Sequence, residues 1–131
     1  MIGIDTNILV RIVTRDDEPM AQRAYQIIQE ECSETQPAFV ATVVLLELVW
    51  TLKSHYKYGR KEITKAIKAL VSAKELRFEN MDAVHRALDF YAERNTDFAD
   101  ALIGAIHKYE GCTTTLTFDK KASKLPDFEE G

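Results

Sequence analysis

Short apolar segments alternate with longer amphipathic segments along the chain, and this alternation constrains the fold most. The candidate strands are 2–4, 38–41, 76–78 and 113–118. Apolar residues at helical spacing predict helices elsewhere: after a cap at Thr6 or Asn7, over 18–34, 43–56 and 60–73, after Asn80, and over 96–111. Because strands that alternate with helices form parallel sheets covered on both faces, we predict a three-layer α/β/α fold with a short parallel central sheet of four to five strands.

The composition is that of an ordinary globular protein. The 131 residues are 46% hydrophobic and 29% charged, which favours one soluble domain over residues 1–131. No apolar run approaches the roughly 20 residues that cross a membrane, so a membrane protein is excluded. Asp5 follows the first four residues directly, which is unlike a secretory signal, and we expect a cytoplasmic protein. Cys32 and Cys112 lack metal-binding spacing, and we expect both to be buried.

The net charge of −4 argues at first against a nucleic-acid partner, because basic surface drives phosphate binding. However, net charge sums over the whole molecule, and acids concentrated at one metal site could account for the deficit. Basic residues elsewhere would then be available for phosphate contacts. The candidates are Arg11, Arg15, Lys53, Lys57, Arg60, Lys61, Lys120, Lys121 and Lys124.

Two acids stand alone in apolar helical segments. Glu47 is the single charge in Val43–Trp50, and Asp100 is the single charge in Phe98–Ile106. A segment that is apolar on all sides of a helix predicts burial. An ionised carboxylate buried alone is costly, so each should be neutral, paired or bound to a cation.

Three further acids are expected near the same place. Asp5 and Asp119 end the first and last clear strands, and the carboxyl ends of parallel strands share one edge of a sheet. Asp97 lies three residues before Asp100, so both project from one face of a first helical turn, where the helix dipole favours negative charge. Gly104 would leave room on that face.

Each acid has an alternative structural role. Asp5 or Asp119 can cap a helix, and Asp97 can interact with the helix dipole. Glu47 can pair with a buried Arg or Lys. Taken together, the acids favour one or two Mg²⁺ or Mn²⁺ ions, which prefer oxygen ligands. Such a site suits hydrolysis of a phosphodiester. The sequence has no phosphate-binding loop, GxGxxG, GxSxG or HExxH motif.

Four motifs occur in an order and spacing that span nearly the whole chain. They are Met1–Asn7, Leu46–Val49, Asp97–Ile103 and Thr115–Asp119. Together they resemble PIN-domain proteins, closest to the VapC toxins of bacterial type II toxin–antitoxin systems. The resemblance implies a Mg²⁺- or Mn²⁺-dependent endoribonuclease that acts on RNA, forms a homodimer and is held inactive by an antitoxin whose C-terminal segment occupies the active-site groove.

The resemblance also implies roles for individual residues. The family's acidic quartet matches Asp5, Glu47, Asp100 and Asp119, and Asp97 matches a less uniform additional acid. All five would bind metal, with Asp5 and Asp100 holding the principal ion and Glu47 and Asp119 orienting a water. Supporting residues that orient the carboxylates through hydrogen bonds match Thr6, Asn7 and Thr117. Because the chain ends at Gly131, we expect the last strand of the sheet to be short or absent.

Two other functions are compatible with parts of the sequence. A phosphorylation-controlled receiver domain also places acids at strand ends, but it needs two adjacent acids where this chain has Asp5 followed by Thr6. A catalytically inactive PIN-fold domain could instead bind a partner through the apolar helices around Trp50 and Leu70. That domain would not need a metal, so metal binding distinguishes it from a nuclease.

Overall fold

The structure, a computed structural model, describes all residues from 1 to 131. Contacts divide the chain into two compact units, Met1–Glu79 and Asn80–Gly131. Each unit combines helices with parallel strands, which confirms the predicted α/β class. The helices include none that is both long enough and apolar enough to span a bilayer. A single functional domain over the whole length stays a prediction.

The first unit contains a parallel sheet of three strands in the order β1-β2-β3. Its elements are β1 (Ile2–Gly3), α1 (Thr6–Thr14), α2 (Glu18–Glu31), β2 (Ala38–Val40), α3 (Thr42–Ser54), α4 (Arg60–Val71) and β3 (Leu76–Phe78). The central strand β2 is in register with both neighbours, pairing Ala38 with Ile2 and with Leu76. Helix and strand side chains form the core of this unit, with Leu9, Val40, Leu45, Leu48, Leu52, Ile63 and Ile67 fully buried.

The second unit is a helical hairpin followed by a small sheet. Its elements are α5 (Met81–Glu93), α6 (Phe98–Tyr109), β4 (Thr115–Thr117), a short 3₁₀ helix (Ala122–Lys124) and β5 (Phe128–Glu130). Small side chains let α5 and α6 pack closely, since Ala87, Ala101 and Ala105 are all buried. β4 pairs in parallel with β5, and Thr115 lies opposite Phe128.

The five strands therefore lie in two sheets, of three and two strands, instead of the single central sheet of four to five strands predicted from the sequence. β4 pairs with the final segment of the chain, and its central residue Leu116 is 67% exposed. A central strand of a covered parallel sheet would have buried that side chain. The last strand, expected to be short or absent, is present as the three residues of β5.

The two cysteines differ in environment. Cys32 is buried at the end of α2, as predicted, and burial raises the pKa of its thiol. Cys112 is exposed, which corrects the prediction that it is buried. It directly follows Gly111, whose φ of 104° turns the chain out of α6.

An ion pair anchors the carboxyl-terminal segment to α5. The Asp127 carboxylate is 7% exposed and accepts two hydrogen bonds from the Arg86 guanidinium, from Nε at 2.8 Å and from Nη2 at 2.7 Å. Arg86 also lies over the Phe90 ring, at 5.0 Å from its centre. The two parallel hydrogen bonds fix the direction in which the chain enters β5.

Gly104 packs against this same segment, which corrects the expectation that it leaves room beside Asp100. A Cβ at Gly104 would lie 2.4 Å from the Phe128 ring and 3.2 Å from the Asp127 Cβ. We expect Gly104→Ala to lower the free energy of unfolding by about 1–3 kcal/mol, because the ring and the chain behind it must shift. Urea unfolding measures this decrease in the free energy of unfolding. The control Ala99→Gly, at an exposed position of the same helix, should lower it by only about 1 kcal/mol. A Gly104→Ala protein as stable as the wild type would contradict the packing role.

Candidate active site

Asp5 follows β1 and is the N-cap of α1, so the cap lies before the predicted Thr6 or Asn7 and the helix begins at Thr6. Its Oδ1 accepts a 2.7 Å hydrogen bond from the backbone N–H of Thr6. The capping role considered as an alternative for Asp5 is therefore present. The hydrogen bond from Thr6 uses Oδ1 and restricts the Asp5 side chain, and Oδ2 takes no part in it.

Three predicted site residues of the first unit line one pocket with Asp5. The pocket has a volume of ≈ 260 Å³ and is lined by Asp5, Thr6, Asn7, Val10, Arg11, Glu47, Thr51 and Tyr56. The Thr6 hydroxyl is buried without a hydrogen-bond partner, an arrangement that costs about 1–3 kcal/mol. Thr6 thus positions Asp5 through its backbone N–H, while its hydroxyl is unsatisfied unless a bound group or water reaches it.

Glu47 is exposed, which corrects the prediction that it is buried. Its neighbours on the same face of α3 are also exposed, Val43 by 72% and Trp50 by 67%. The opposite face packs into the core through Leu45, Leu48 and Leu52. The segment is apolar on all sides, but the chain covers only one side of the helix, so Glu47 does not need a partner to offset burial.

A polar network in the wall of this pocket had no sequence signal. The Tyr56 hydroxyl donates to Asp16 Oδ2 at 2.6 Å, and Arg11 Nη1 donates to Asp16 Oδ1 at 2.8 Å. Chiefly the Tyr56 bond, together with Arg11 and Thr14, lowers the pKa of Asp16 to about 2. Asp16 therefore holds the Arg11 guanidinium and the Tyr56 phenol, which line the same pocket as Asp5 and Glu47. Tyr56 lies 40 residues from Asp16 in the chain.

In the second unit, Asp100 lies in the first turn of α6 and is half-buried. The pKa of its carboxyl is raised by burial first and then by the negative charges of Asp97 and Asp119, whereas Lys121 opposes the rise. Asp97 is the N-cap of α6, so this helix starts at Phe98 and later than the predicted Thr96. The structure thus brings three predicted acids of this unit close enough to interact.

Asp119 is held by the turn that follows β4. Its Oδ1 accepts hydrogen bonds from the backbone N–H groups of Lys121 at 2.8 Å and Ala122 at 3.0 Å. The Asp119 N–H in turn donates to Thr117 Oγ1 at 3.0 Å. Thr117 therefore contacts the backbone of Asp119 and not its carboxylate, and one oxygen of Asp119 holds the turn before the short 3₁₀ helix.

The predicted ligands are divided between the units. Asp5 and Glu47 lie in the first, and Asp97, Asp100 and Asp119 lie in the second. Asp5 follows a strand of the three-stranded sheet and Asp119 a strand of the two-stranded sheet, so their expected position at one edge of one sheet is wrong. Three His, Cys, Asp or Glu side chains do not come together anywhere in a metal-holding arrangement. The donors are nonetheless all carboxylate oxygens, the chemistry that suits Mg²⁺ or Mn²⁺.

Comparison with known proteins identifies the family. The model of the PIN domain matches residues 2–127. The chain belongs to the PIN domain family. The match extends across the sequences of both units, and it confirms the resemblance seen in the four motifs. This PIN domain is also similar to the VapC ribonuclease of Aquifex aeolicus (strain VF5), with 24% identity over 122 residues that cover 93% of this chain and 90% of that protein.

Proposed function

We propose that this PIN domain is a Mg²⁺- or Mn²⁺-dependent endoribonuclease that cleaves RNA phosphodiester bonds. The observation that carries the proposal is the PIN domain match over residues 2–127, and the half-buried Asp100 carboxylate, on which the charges of Asp97 and Asp119 act, is consistent with it. Like charges held together in this way are stabilised by a divalent cation. The similarity to a VapC ribonuclease supports RNA as the substrate.

Five acids would hold one or two ions: Asp5, Glu47, Asp97, Asp100 and Asp119. In this proposal Asp5 and Asp100 bind the principal ion. The backbone N–H groups that bond to Asp5 and Asp119 each use Oδ1 and restrict the side-chain direction. A bound divalent ion would supply charge stabilisation at the phosphate and a lowered pKa for the attacking water.

The chain's own residues would position the reacting groups. Glu47 and Asp119 would accept hydrogen bonds from the attacking water and orient it toward the phosphate. Thr117 keeps Asp119 in place through the backbone N–H, and the Thr6 N–H does the same for the Asp5 carboxylate. Asn7 would contribute a further polar group to the pocket wall that it shares with Asp5.

We further propose that the protein is the toxin of a toxin–antitoxin pair, acts in the cytoplasm and forms a homodimer. An antitoxin segment that occupies the groove would contact the exposed face of α3, where Val43 and Trp50 lie on either side of Glu47. Covering two large apolar side chains would stabilise the inhibited complex by roughly 25 cal/mol for each Å² buried. The same segment would block access to the acids.

Metal removal tests the proposed activity. Purified protein with Mn²⁺ is expected to cut a single-stranded RNA internally, because the acids need a cation before a phosphate can approach them. Excess EDTA should abolish cleavage, and added Mn²⁺ should restore it. Gel electrophoresis of an end-labelled RNA measures both steps.

Calorimetric titration with Mn²⁺ separates this proposal from an inactive partner-binding domain. Wild-type protein should bind Mn²⁺, and Asp5→Asn should remove most of that binding. Asp89→Asn is the matched control, since Asp89 is an exposed acid on α5 outside the proposed ligand set. Cleavage that continues in EDTA, or wild-type protein that binds no Mn²⁺, would overturn the proposed mechanism.

A further inference from the structure

A second pocket lies in the second unit, and none of the acids discussed so far is among its lining residues. Its volume is ≈ 290 Å³, compared with about 30 Å³ for one water molecule in the liquid, so it has room for a phosphate with its attached sugar oxygens. We call it the basic pocket, and it is lined by Arg94, Asn95, Thr96, Lys121, Lys124 and Leu125.

The lining of the basic pocket has one sign of charge. Three of the six lining residues are cationic, namely Arg94, Lys121 and Lys124, and none is acidic. All three are exposed, so their charges are open to an approaching ligand. In a chain with a net charge of −4, three cations around one cavity form a local anion-binding surface.

Packing restricts the Arg94 side chain. Its guanidinium lies over the Phe90 ring, 5.5 Å from the ring centre, where the cation–π attraction limits its orientations. A guanidinium held in this way loses less entropy when it binds a phosphate, for which its paired donors are well matched. Arg94 is therefore the best-prepared phosphate ligand of the basic pocket.

The basic pocket adjoins the acids along the chain on both sides. Residues 94–96 directly precede Asp97, and Lys121 follows Asp119 in a turn where its backbone N–H donates to the Asp119 carboxylate at 2.8 Å. Lys121 thus belongs to the pocket lining and to the surroundings of the acids.

We propose that the basic pocket binds a phosphate of the RNA backbone next to the phosphodiester that is cleaved. This assignment rests on the proposed ribonuclease function and adds a substrate-binding site to it. The pocket contacts the backbone and not the bases, so it contributes affinity and register without sequence preference. Three positive charges around a single phosphate would hold the strand while the neighbouring phosphate meets the acids.

Equilibrium binding without divalent metal tests the basic pocket. The probe is a fluorescent single-stranded RNA of mixed sequence, with EDTA present so that no cleavage occurs, and anisotropy is followed across a range of salt concentrations. Arg94→Ala combined with Lys124→Ala should weaken binding roughly tenfold. It should also reduce the slope of log K against log salt by about 0.7, the value for one phosphate contact on a single strand.

The matched control removes the same charge elsewhere. Lys68→Ala combined with Lys108→Ala alters two exposed lysines outside the basic pocket and should leave the slope unchanged. If the pocket double variant binds RNA no more weakly than this control, the inference is overturned. The inference is also overturned if the pocket double variant loses affinity for an acidic peptide but not for RNA, because that result would indicate a protein ligand.

The outcome is independent of the proposed activity because binding is measured without cleavage. Wild-type protein that fails to cut RNA with Mn²⁺ would overturn the ribonuclease function even if the basic pocket binds RNA. If the wild type cleaves RNA normally but the pocket double variant binds RNA as well as the control does, only the inference about the basic pocket is overturned. Circular dichroism of both double variants verifies that each is folded.

Discussion

Asp100→Asn is expected to lower the rate of RNA cleavage at least about 10³-fold, equivalent to roughly 4 kcal/mol of transition-state stabilisation. Asparagine keeps the size of the side chain but removes the negative charge that would attract the ion. The substituted chain should still fold, because burial disfavours the charged form of Asp100.

Stability measurements separate loss of chemistry from loss of structure. The folded state raises the pKa of Asp100, so it binds more protons than the unfolded state between the ordinary carboxyl pKa and the raised value. Stability without metal therefore decreases as pH rises through that interval, and acidification recovers it. Asp100→Asn should lack this pH dependence and be at least as stable as the wild type near neutral pH in EDTA. Urea unfolding at a series of pH values measures the difference.

Metal should act on the two proteins differently. Mn²⁺ is expected to raise the melting temperature of the wild type, since a ligand that binds only the folded state stabilises it, and to have little effect on Asp100→Asn. Asp89→Asn should behave as the wild type in cleavage and in melting. Substantial cleavage by a folded Asp100→Asn protein would remove Asp100 from the proposed ligand set.

Arg86→Met is expected to cause the largest loss of stability, about 3 kcal/mol or more. Methionine can fill much of the space of the arginine stem, but it leaves the buried Asp127 carboxylate without its two hydrogen bonds. Breaking one side of a buried pair typically costs about 3–5 kcal/mol, because the remaining charge is desolvated and unpaired. Urea unfolding of the full chain measures the loss.

The double variant Arg86→Met with Asp127→Leu isolates the cause. It removes both charges, and we expect it to recover most of the lost stability. Arg23→Met, at an exposed position on α2, is the control and should change stability by less than about 0.5 kcal/mol. If the double variant is no more stable than Arg86→Met, the unpaired carboxylate is not the cause of the loss.

Local patterns were sufficient for the elements and the family. The periodicity of apolar residues predicted the α/β class, because strand and helix spacing depends on neighbours a few residues away. The motif that contains Asp97 and Asp100 predicted two acids on one helical turn, and the structure places them close enough to interact. Their expected metal ligation stays a prediction.

Burial was harder to predict, as Glu47 shows. Its segment is apolar on every side, but burial depends on whether another part of the chain covers each side, and the side with Val43, Glu47 and Trp50 is uncovered. The division of the strands into two sheets depends on the pairing of β4 with β5, in which Thr115 meets a residue from the chain end. Neither property is encoded in a single local segment.

The sequence by itself determined the order of helices and strands, the positions of the acids and membership of the PIN domain family. Only the tertiary structure decided that Asp16 holds Tyr56, that Arg86 pairs with Asp127, and that cations from two segments surround the basic pocket. The physical reason is range: periodicity and motifs act over a few residues, whereas these contacts join side chains distant in the chain, whose meeting depends on how the whole segment between them packs.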